Sequence, residues 1–301
     1  MGKSRGSATF LVMLLVMVIL TVSISFNWLI KEYVKNATAF TEKAQAALRA
    51  RSIFDLTVYL ILNGKKTNKA IYVPEIKGLD YRGEIPLDGT PYRLSEDTTL
   101  KIQDSNGLIS LTTINSEALR NLLAISGASP EDLNSLIDCL LDWVDPDDLK
   151  RLNGAERFDY SALGYEPRNM RIQYLEELKL VKGFADFYEK LAPYLTILPQ
   201  TGFNPNTAPK EVLKAYLGIN DETAKILMDR ISISPVRSDS ELYLLTGKKI
   251  VKEEGVYFYP SSFLDIRIEV GEKKPIFCLK AGIDTRPNLY FPFSVIYWKE
   301  E

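Results

Sequence analysis

The feature that most constrains this chain is its run from Gly6 to Ile30, in which no residue is charged, set between Arg5 and Lys31. Coiled as a helix at about 1.5 Å per residue, such a run covers roughly 37 Å, enough to cross a hydrocarbon core ~30 Å thick. Its Leu, Ile, Val and Phe residues favour insertion by roughly 4 to 8 kcal/mol at most. A cleavable secretory signal has an apolar stretch of about 7 to 15 residues that ends at a small-residue cleavage site. This run is longer, and it continues into an amphipathic helix, so residues 7–30 read as a retained transmembrane helix. Lys3, Arg5 and the terminal amine precede it. By the positive-inside rule the N-terminus is then cytoplasmic and the rest of the chain lies across the membrane.

Composition narrows the chemistry. There is no histidine, which excludes Ser-His-Asp and Cys-His nucleophiles and His-containing zinc sites. Two cysteines cannot build a four-cysteine zinc site or a disulfide framework. Cys139 and Cys278 are 139 positions apart in different expected domains, so we expect two separate buried thiols. A net charge of -2 supplies no global field for nucleic acid. Gly64-Lys65-Lys66-Thr67 and Gly247-Lys248-Lys249 lack the spacing of a phosphate loop.

Past Ile30 the pattern stays helical. Tyr33, Ala37, Phe40, Ala44, Ala47, Leu48 and Phe54 recur at helical spacing among charged residues up to Asn63-Gly64, a plausible helix end. No heptad with charged flanks is sustained, so residues 31–64 are expected to pack on a sheet and not in a coiled coil. Residues 65–111 read as short strands punctuated by Pro74, Gly78, Gly83, Pro86, Asp88-Gly89, Pro91 and Asn106-Gly107. Within them, Thr98–Gln103 and Leu108–Leu111 suggest a hairpin.

Residues 112–247 switch to helical patterning, and two parts look alike. Asn115 opens a helix that leads through Gly127 to a second helix over Pro130–Trp143. Asn206-Thr207 opens another that leads through Gly218 to a second over Asp221–Ile231. The turn Leu217-Gly218-Ile219-Asn220 lacks the paired glycines of a helical hairpin that grips DNA, and the charges around it cancel. No nucleic-acid partner is expected. From Leu264 to Val270 apolar and charged residues alternate as in a half-buried strand, and Ile276–Ile283 and Tyr290–Trp298 suggest two more. Strands therefore return after the helices, in the manner of an α+β protein interrupted by a large all-α insertion domain.

The most charged stretch is Asp138 to Tyr160, with Asp138, Asp142, Asp145, Asp147, Asp148, Glu156 and Asp159 against Lys150, Arg151 and Arg157. Oxygen ligands gathered at a turn suit a hard cation, and without histidine calcium is the natural candidate. The alternative is a solvated acidic loop in which Asp or Glu caps a following helix. EF-hand spacing is absent.

Two sets of residues carry a family resemblance. Lys3-Ser4-Arg5-Gly6 before an apolar run resembles the class III signal of type IV pilins and pseudopilins. That likeness implies a leader over residues 1–6, cut by a prepilin peptidase between Gly6 and Ser7, with methylation of Ser7. The fifth position after the cut, normally Glu in pilins, is Leu11 here. Then Asp142-Trp143-Val144-Asp145-Pro146-Asp147-Asp148, Asn153-Gly154-Ala155-Glu156, Gly164-Tyr165-Glu166-Pro167-Arg168-Asn169 and Asn204-Pro205-Asn206-Thr207-Ala208-Pro209 resemble the minor pseudopilin K family of type II secretion, whose members also lack that Glu.

The resemblance implies a pilin-like α+β fold: a long N-terminal transmembrane helix and an antiparallel sheet in two parts, 65–111 and 248–301, around an insertion at 112–247. It implies a tip subunit of the pseudopilus in the bacterial inner membrane, its folded part periplasmic, acting without catalysis. Its partners would be the I and J minor pseudopilins, the other pseudopilins and the prepilin peptidase. It implies calcium in the insertion, with Asp145, Asp147, Asp148 and Glu156 as expected ligands and Asp142 and Asp159 as weaker ones. A minor pilin of a type IV pilus would share the leader and the helix. A membrane-anchored carboxylate hydrolase using the Asp cluster is a third alternative.

Overall fold

The computed structural model describes residues 6–73, 83–250, 255–272 and 274–301. The leader residues Lys3 and Arg5 and the expected turn residues Pro74 and Gly78 lie outside the described residues. Helix α1 runs unbroken over Gly6–Asn63, 58 residues, or about 87 Å at 1.5 Å per residue. It contains no proline, and its end is closed by the Gly64 N–H, which donates to Leu60 O at 2.8 Å.

The helix packs only along its last third. Ala46, Ala50, Phe54, Val58 and Ile61 are buried, each three or four positions after the last, so they form one stripe. From Ala8 to Gln45 every residue is exposed except the half-buried Glu32. The sheet-facing stripe therefore begins later than the pattern suggests. Tyr33, Phe40 and Leu48 were expected on it, yet they stand 66%, 78% and 64% exposed. Helical spacing marks a face, and it does not say what covers that face.

Strands β1 (Lys65–Lys66), β2 (Ala70–Val73) and β3 (Gly83–Pro86) form a small antiparallel sheet. Next come β4 (Tyr92–Ser95), β5 (Thr98–Asp104) and the two-residue β6 (Ile109–Ser110). The helical block holds α2 (Ser116–Ile125), α3 (Pro130–Val144), α4 (Arg157–Ser161) and α5 (Tyr188–Leu191), then β7 (Leu195–Thr196), α6 (Lys210–Leu217), α7 (Asp221–Ile233) and α8 (Asp239–Thr246). The chain closes with β8 (Phe263–Val270), β9 (Phe277–Asp284) and β10 (Ser294–Glu300). The main sheet has the order β10-β9-β8-β5-β4 and is antiparallel throughout. Strands on either side of the helical block are thus neighbours, β5 beside β8. This is the pilin-like α+β fold with an inserted helical part.

The described residues form two cores. One lies between α1 and the sheets, where Phe54 and Val58 meet Leu100, Ile102, Ile266, Ile268 and Leu279. The alternation in β8 is realised, with Leu264, Ile266, Ile268 and Val270 on the buried face. The other core belongs to the helical block and holds Leu119, Leu122, Leu140, Trp143, Leu213 and Leu227. The two similar helical pairs face each other through α2 and α6, where Asn121 Nδ2 donates to Ala215 O at 2.9 Å. Cys139 and Cys278 are separate buried thiols.

Two local expectations are corrected. Leu108–Leu111 does not fold back on β5. Asp104 accepts from the Asn106 N–H at 3.1 Å and starts a 3₁₀ turn over Ser105–Gly107, after which β6 pairs in parallel with β7 of the helical block. Tyr290–Phe293 is not strand either. Asn288 Oδ1 accepts from the Tyr290 and Phe291 N–H groups at 2.9 and 2.8 Å and turns the chain, so β10 begins at Ser294.

Candidate functional site

The acidic loop grows from the C-terminal end of α3. Ser129 caps this helix, accepting from the Asp132 N–H at 3.2 Å, and Pro130 sits in its first turn. Asp145 ends it, because the residue before Pro146 is pushed into an extended conformation, here φ -78 and ψ 159. Asp138, Asp142 and Asp145 then project from one side toward the returning loop. Asp138 Oδ2 accepts from Asn153 N and Nδ2, both at 3.1 Å.

The loop is anchored on Trp143, whose ring meets Tyr160 edge-on at 5.1 Å and Tyr165 at 6.2 Å. Trp143 Nε1 donates to Glu177 Oε1 at 2.9 Å, and Arg168 pairs with the same oxygen at 2.6 Å. The Asn169 N–H donates to Trp143 O at 3.0 Å, so the segment around Asn169 closes over the helix end.

Arg151 stands among the carboxylates. Its guanidinium donates to Asp142 Oδ1 at 2.6 Å and also to Asp145 Oδ2, and its backbone N–H reaches Asp142 Oδ2 at 3.2 Å. Asp142 is fully buried, and Gly154 makes the room: a Cβ there would lie 1.8 Å from Asp142 Oδ2. Asp159 faces elsewhere. It pairs with Lys150 at 2.9 Å and accepts from the Glu156 N–H at 3.1 Å, which holds its carboxyl below the usual range. This is the capping role that an acidic residue can take at a helix start.

Glu156 is the anomaly. It is 5% exposed, and among the described residues neither carboxylate oxygen has a hydrogen-bond partner. Asp145 Oδ1 and Asn169 Oδ1 are likewise buried without partners. Burial, then the charges of Asp142, Asp145, Asp148 and Asp147, push the Glu156 carboxyl up to about 7. A buried, unpaired carboxylate in a negative field is costly unless a cation compensates it.

Asp147 and Asp148 are exposed at the same loop. Asp147 Oδ1 accepts from the Leu149 N–H at 2.9 Å, and Asp148 Oδ1 from Asn169 Nδ2 at 3.0 Å. As arranged, no group of three or more acidic residues among the described residues is gathered tightly enough to hold an ion. The donor chemistry nevertheless fits a hard cation: all are oxygens, four are buried without partners among the described residues, and Arg151 is the cation paired with Asp142 and Asp145.

Sequence reasoning missed Arg151, Gly154 and Asn169. The signal for Asn169 is its residue type, since it adopts φ 51, a region that Asn tolerates better than most residues. Leu11 lies on α1 and is 66% exposed; Gly6 and Ser7 begin that helix.

Among the described residues one helix is long and apolar enough to cross a membrane; exposed in its first half and packed on an antiparallel sheet in its last third, it fits the single-pass anchor of a protein of the pilin-like class. Within that class, residues 99–200 match the family described as type II secretion system, protein K.

The chain is 35% identical over 94 residues to the type II secretion system protein K of Dickeya chrysanthemi, covering 30% of this chain and 26% of that one. It is 30% identical over 155 residues to the Pseudomonas aeruginosa protein, covering 46% of each. It is 40% identical over 80 residues to the Klebsiella pneumoniae protein, covering 26% of this chain and 24% of that one. The matches thus span between about a quarter and a half of these relatives' lengths. Among solved structures, a chain of the GspK-GspI-GspJ complex from the enterotoxigenic Escherichia coli type 2 secretion system superposes with a TM-score of 0.58 at 17% identity, covering 88% of this chain and 99% of that one. That likeness establishes the fold. The resemblance read from the motifs is met by the family match and by these relatives.

Proposed function

We propose that this protein is a minor pseudopilin of a type II secretion system. Residues 7–30 anchor it in the bacterial inner membrane, with the N-terminus cytoplasmic and the folded part periplasmic. It stands at the tip of the pseudopilus with the I and J minor pseudopilins, primes assembly with the other pseudopilins, and supports export across the outer membrane.

The observation that carries this reading is the division of α1. Residues 46–61 are fastened to the sheet, while Ala8–Gln45 extend from the body exposed on all sides but for Glu32. An apolar helix left open in this way suits lateral packing against the same helix of neighbouring subunits. Phe40 and Leu48 continue that open surface outside the membrane. The family match at residues 99–200 favours type II secretion over a type IV pilus. The work done is packing and insertion, with no covalent chemistry of its own.

Processing by a prepilin peptidase between Gly6 and Ser7, with methylation of Ser7, belongs to the same reading. A carboxylate at position 11 would be tolerated in lipid only with a partner amine. Leu11 removes that requirement, which suits a terminal subunit. Calcium belongs to it as well: Asp145, Asp147, Asp148 and Glu156 would hold the ion, which would supply positive charge to the buried Glu156, while Asp142 keeps Arg151.

The test is co-expression with a prepilin peptidase and the I and J subunits, followed by mass spectrometry and affinity purification. The expected product lacks Met1–Gly6, carries one methyl group on Ser7, and copurifies with both subunits. An intact Met1, a cut beyond Ile30, or failure to copurify would overturn the proposal.

A further inference from the structure

Across the face of the main sheet that looks at the helical block, four cations lie side by side. Lys101 on β5 is opposite Arg267 on β8, Arg267 is opposite Lys280 on β9, and Lys280 is opposite Lys299 on β10. With strands about 4.8 Å apart, the row is roughly 14 Å long. Like charges directly opposite one another weaken a sheet, so the row depends on carboxylates to compensate it.

The carboxylates that neutralise it are mostly in the next row, to one side. Glu269 pairs with Lys101 at 3.4 Å and with Arg267 at 2.7 Å. Glu301 pairs with Lys280 at 3.0 Å and with Lys299 at 2.6 Å. On the other side, Asp265 is already engaged, accepting from the Tyr297 hydroxyl at 2.7 Å. Tyr297 reaches it across β9 over Gly282, where a Cβ would meet the ring at 2.4 Å.

Above the row is a cavity of about 410 Å³ between the sheet and the helical block. Lys101, Arg267, Lys280 and Lys299 line its floor beside two lining acids, Asp265 and Glu176; with Glu269 and Glu301, which pair with the row from one side, four acids stand against the four cations. Glu176 pairs with Lys299 at 2.6 Å. The opposite wall is apolar and aromatic, built from Leu108, Tyr174, Leu175, Tyr188, Leu195 and Ile197. A volume of this size lies in the range of ligand sites, ~300 to 1,000 Å³.

We infer that this cavity binds an acidic peptide segment of another chain, its carboxylates on the Lys101-Arg267-Lys280-Lys299 row and its apolar side chains against the Leu175-Tyr188 wall. A line of separated cations suits this occupant better than a phosphate, which needs donors converging on one point. Alternate side chains of an extended peptide are about 6.8 Å apart, so a short segment can place two or three carboxylates along the row. The inference stands on the register of the sheet and is independent of the membrane assembly.

The test uses the full chain in detergent and a fluorescein-labelled hexapeptide of alternating Glu and Leu, read by anisotropy against a detergent blank. Saturable binding is expected, at least tenfold weaker in both R267Q and K280Q and unchanged in K225Q, which is outside the cavity. The same peptide with Gln for Glu should not bind, and equimolar inorganic phosphate should not displace the Glu peptide. Absence of saturable binding overturns the inference. So do equal binding of the Gln peptide, displacement by phosphate, or unchanged affinity in R267Q and K280Q with the wild-type melting temperature retained.

Discussion

The hydroxyl of Thr207 donates to the fully buried carboxylate of Asp104 at 2.9 Å, joining residues 103 positions apart. Asp104 ends β5, and Thr207 precedes α6, so this contact ties the sheet to the helical block. Asp104 also accepts from Ser261 N at 2.8 Å, Asn106 N at 3.1 Å and Asn204 Nδ2 at 3.3 Å. Asn206 Nδ2 in turn donates to Val236 O at 2.9 Å. The Asn204-Pro205-Asn206-Thr207 segment is thus the polar seam between two apolar cores.

Because the seam is buried, Thr207→Val should cost about 1 to 3 kcal/mol, the usual penalty for leaving a buried acceptor short of a donor. Urea unfolding is expected to show a lower midpoint and a loss of the single transition, since the two cores lose a shared network. A midpoint within error of wild type would contradict the seam.

Glu156→Gln should act in opposite directions with and without calcium. Removing a buried charge that has no partner raises the melting temperature in chelator, while the stabilisation gained on adding calcium is lost. Scanning calorimetry in chelator and in millimolar calcium measures both. Wild-type protein whose melting temperature ignores calcium would refute the calcium proposal.

Gly154→Ala should displace the Asp142 carboxylate, since the new methyl group would fall 1.8 Å from Oδ2. Overpacking of this kind costs about 1 to 3 kcal/mol. The expected signature in a nitrogen–proton spectrum is a shift of the Arg151 backbone and side-chain resonances. An unmoved Arg151 would show that its pairing does not depend on that gap.

Asp265 predicts a pH dependence. Burial pushes its carboxyl up to about 6 from an ordinary 3.8. Between those values the folded state keeps a proton that the unfolded chain has released, so stability falls as pH rises from roughly 4 to roughly 6 and the loss is complete above that. Denaturant midpoints across this range should slope downward from this group, and D265N should remove that share of the slope.

The exposed α1 residues give a prediction of the opposite kind. Phe40→Glu and Leu48→Glu should change the stability of the isolated protein by no more than about 0.5 kcal/mol, as exposed positions do. Copurification with the I and J subunits is nonetheless expected to drop sharply. Normal assembly by both variants would place the contact elsewhere on the helix.

Much of this was legible from residue order. The uncharged run from Gly6 to Ile30, the alternation of Leu264 to Val270 and the two Asn-capped helical pairs each depend on neighbours within a few positions, so period and capping reveal them. Local pattern cannot choose a strand's partner, so residue order alone presents Leu108–Leu111 as one arm of a hairpin. β6 joins β7, 86 positions away, for reasons that lie in the turn closed by Asp104.

The acidic loop divides in the same way. Its composition suits a hard cation, because charge and donor type are properties of residues. Which carboxylates are satisfied was not legible. Asp142 and Asp159 find cations, and Glu156 finds none, only because α3 and the returning loop fold against Trp143. Sequence alone thus determined the long apolar helix, the class of most segments and the chemistry available, all set by residues close in the chain. Tertiary structure alone decided the pairing of Arg151, the buried charge of Glu156 and the cationic row across four strands, because these depend on distances that only a folded chain creates.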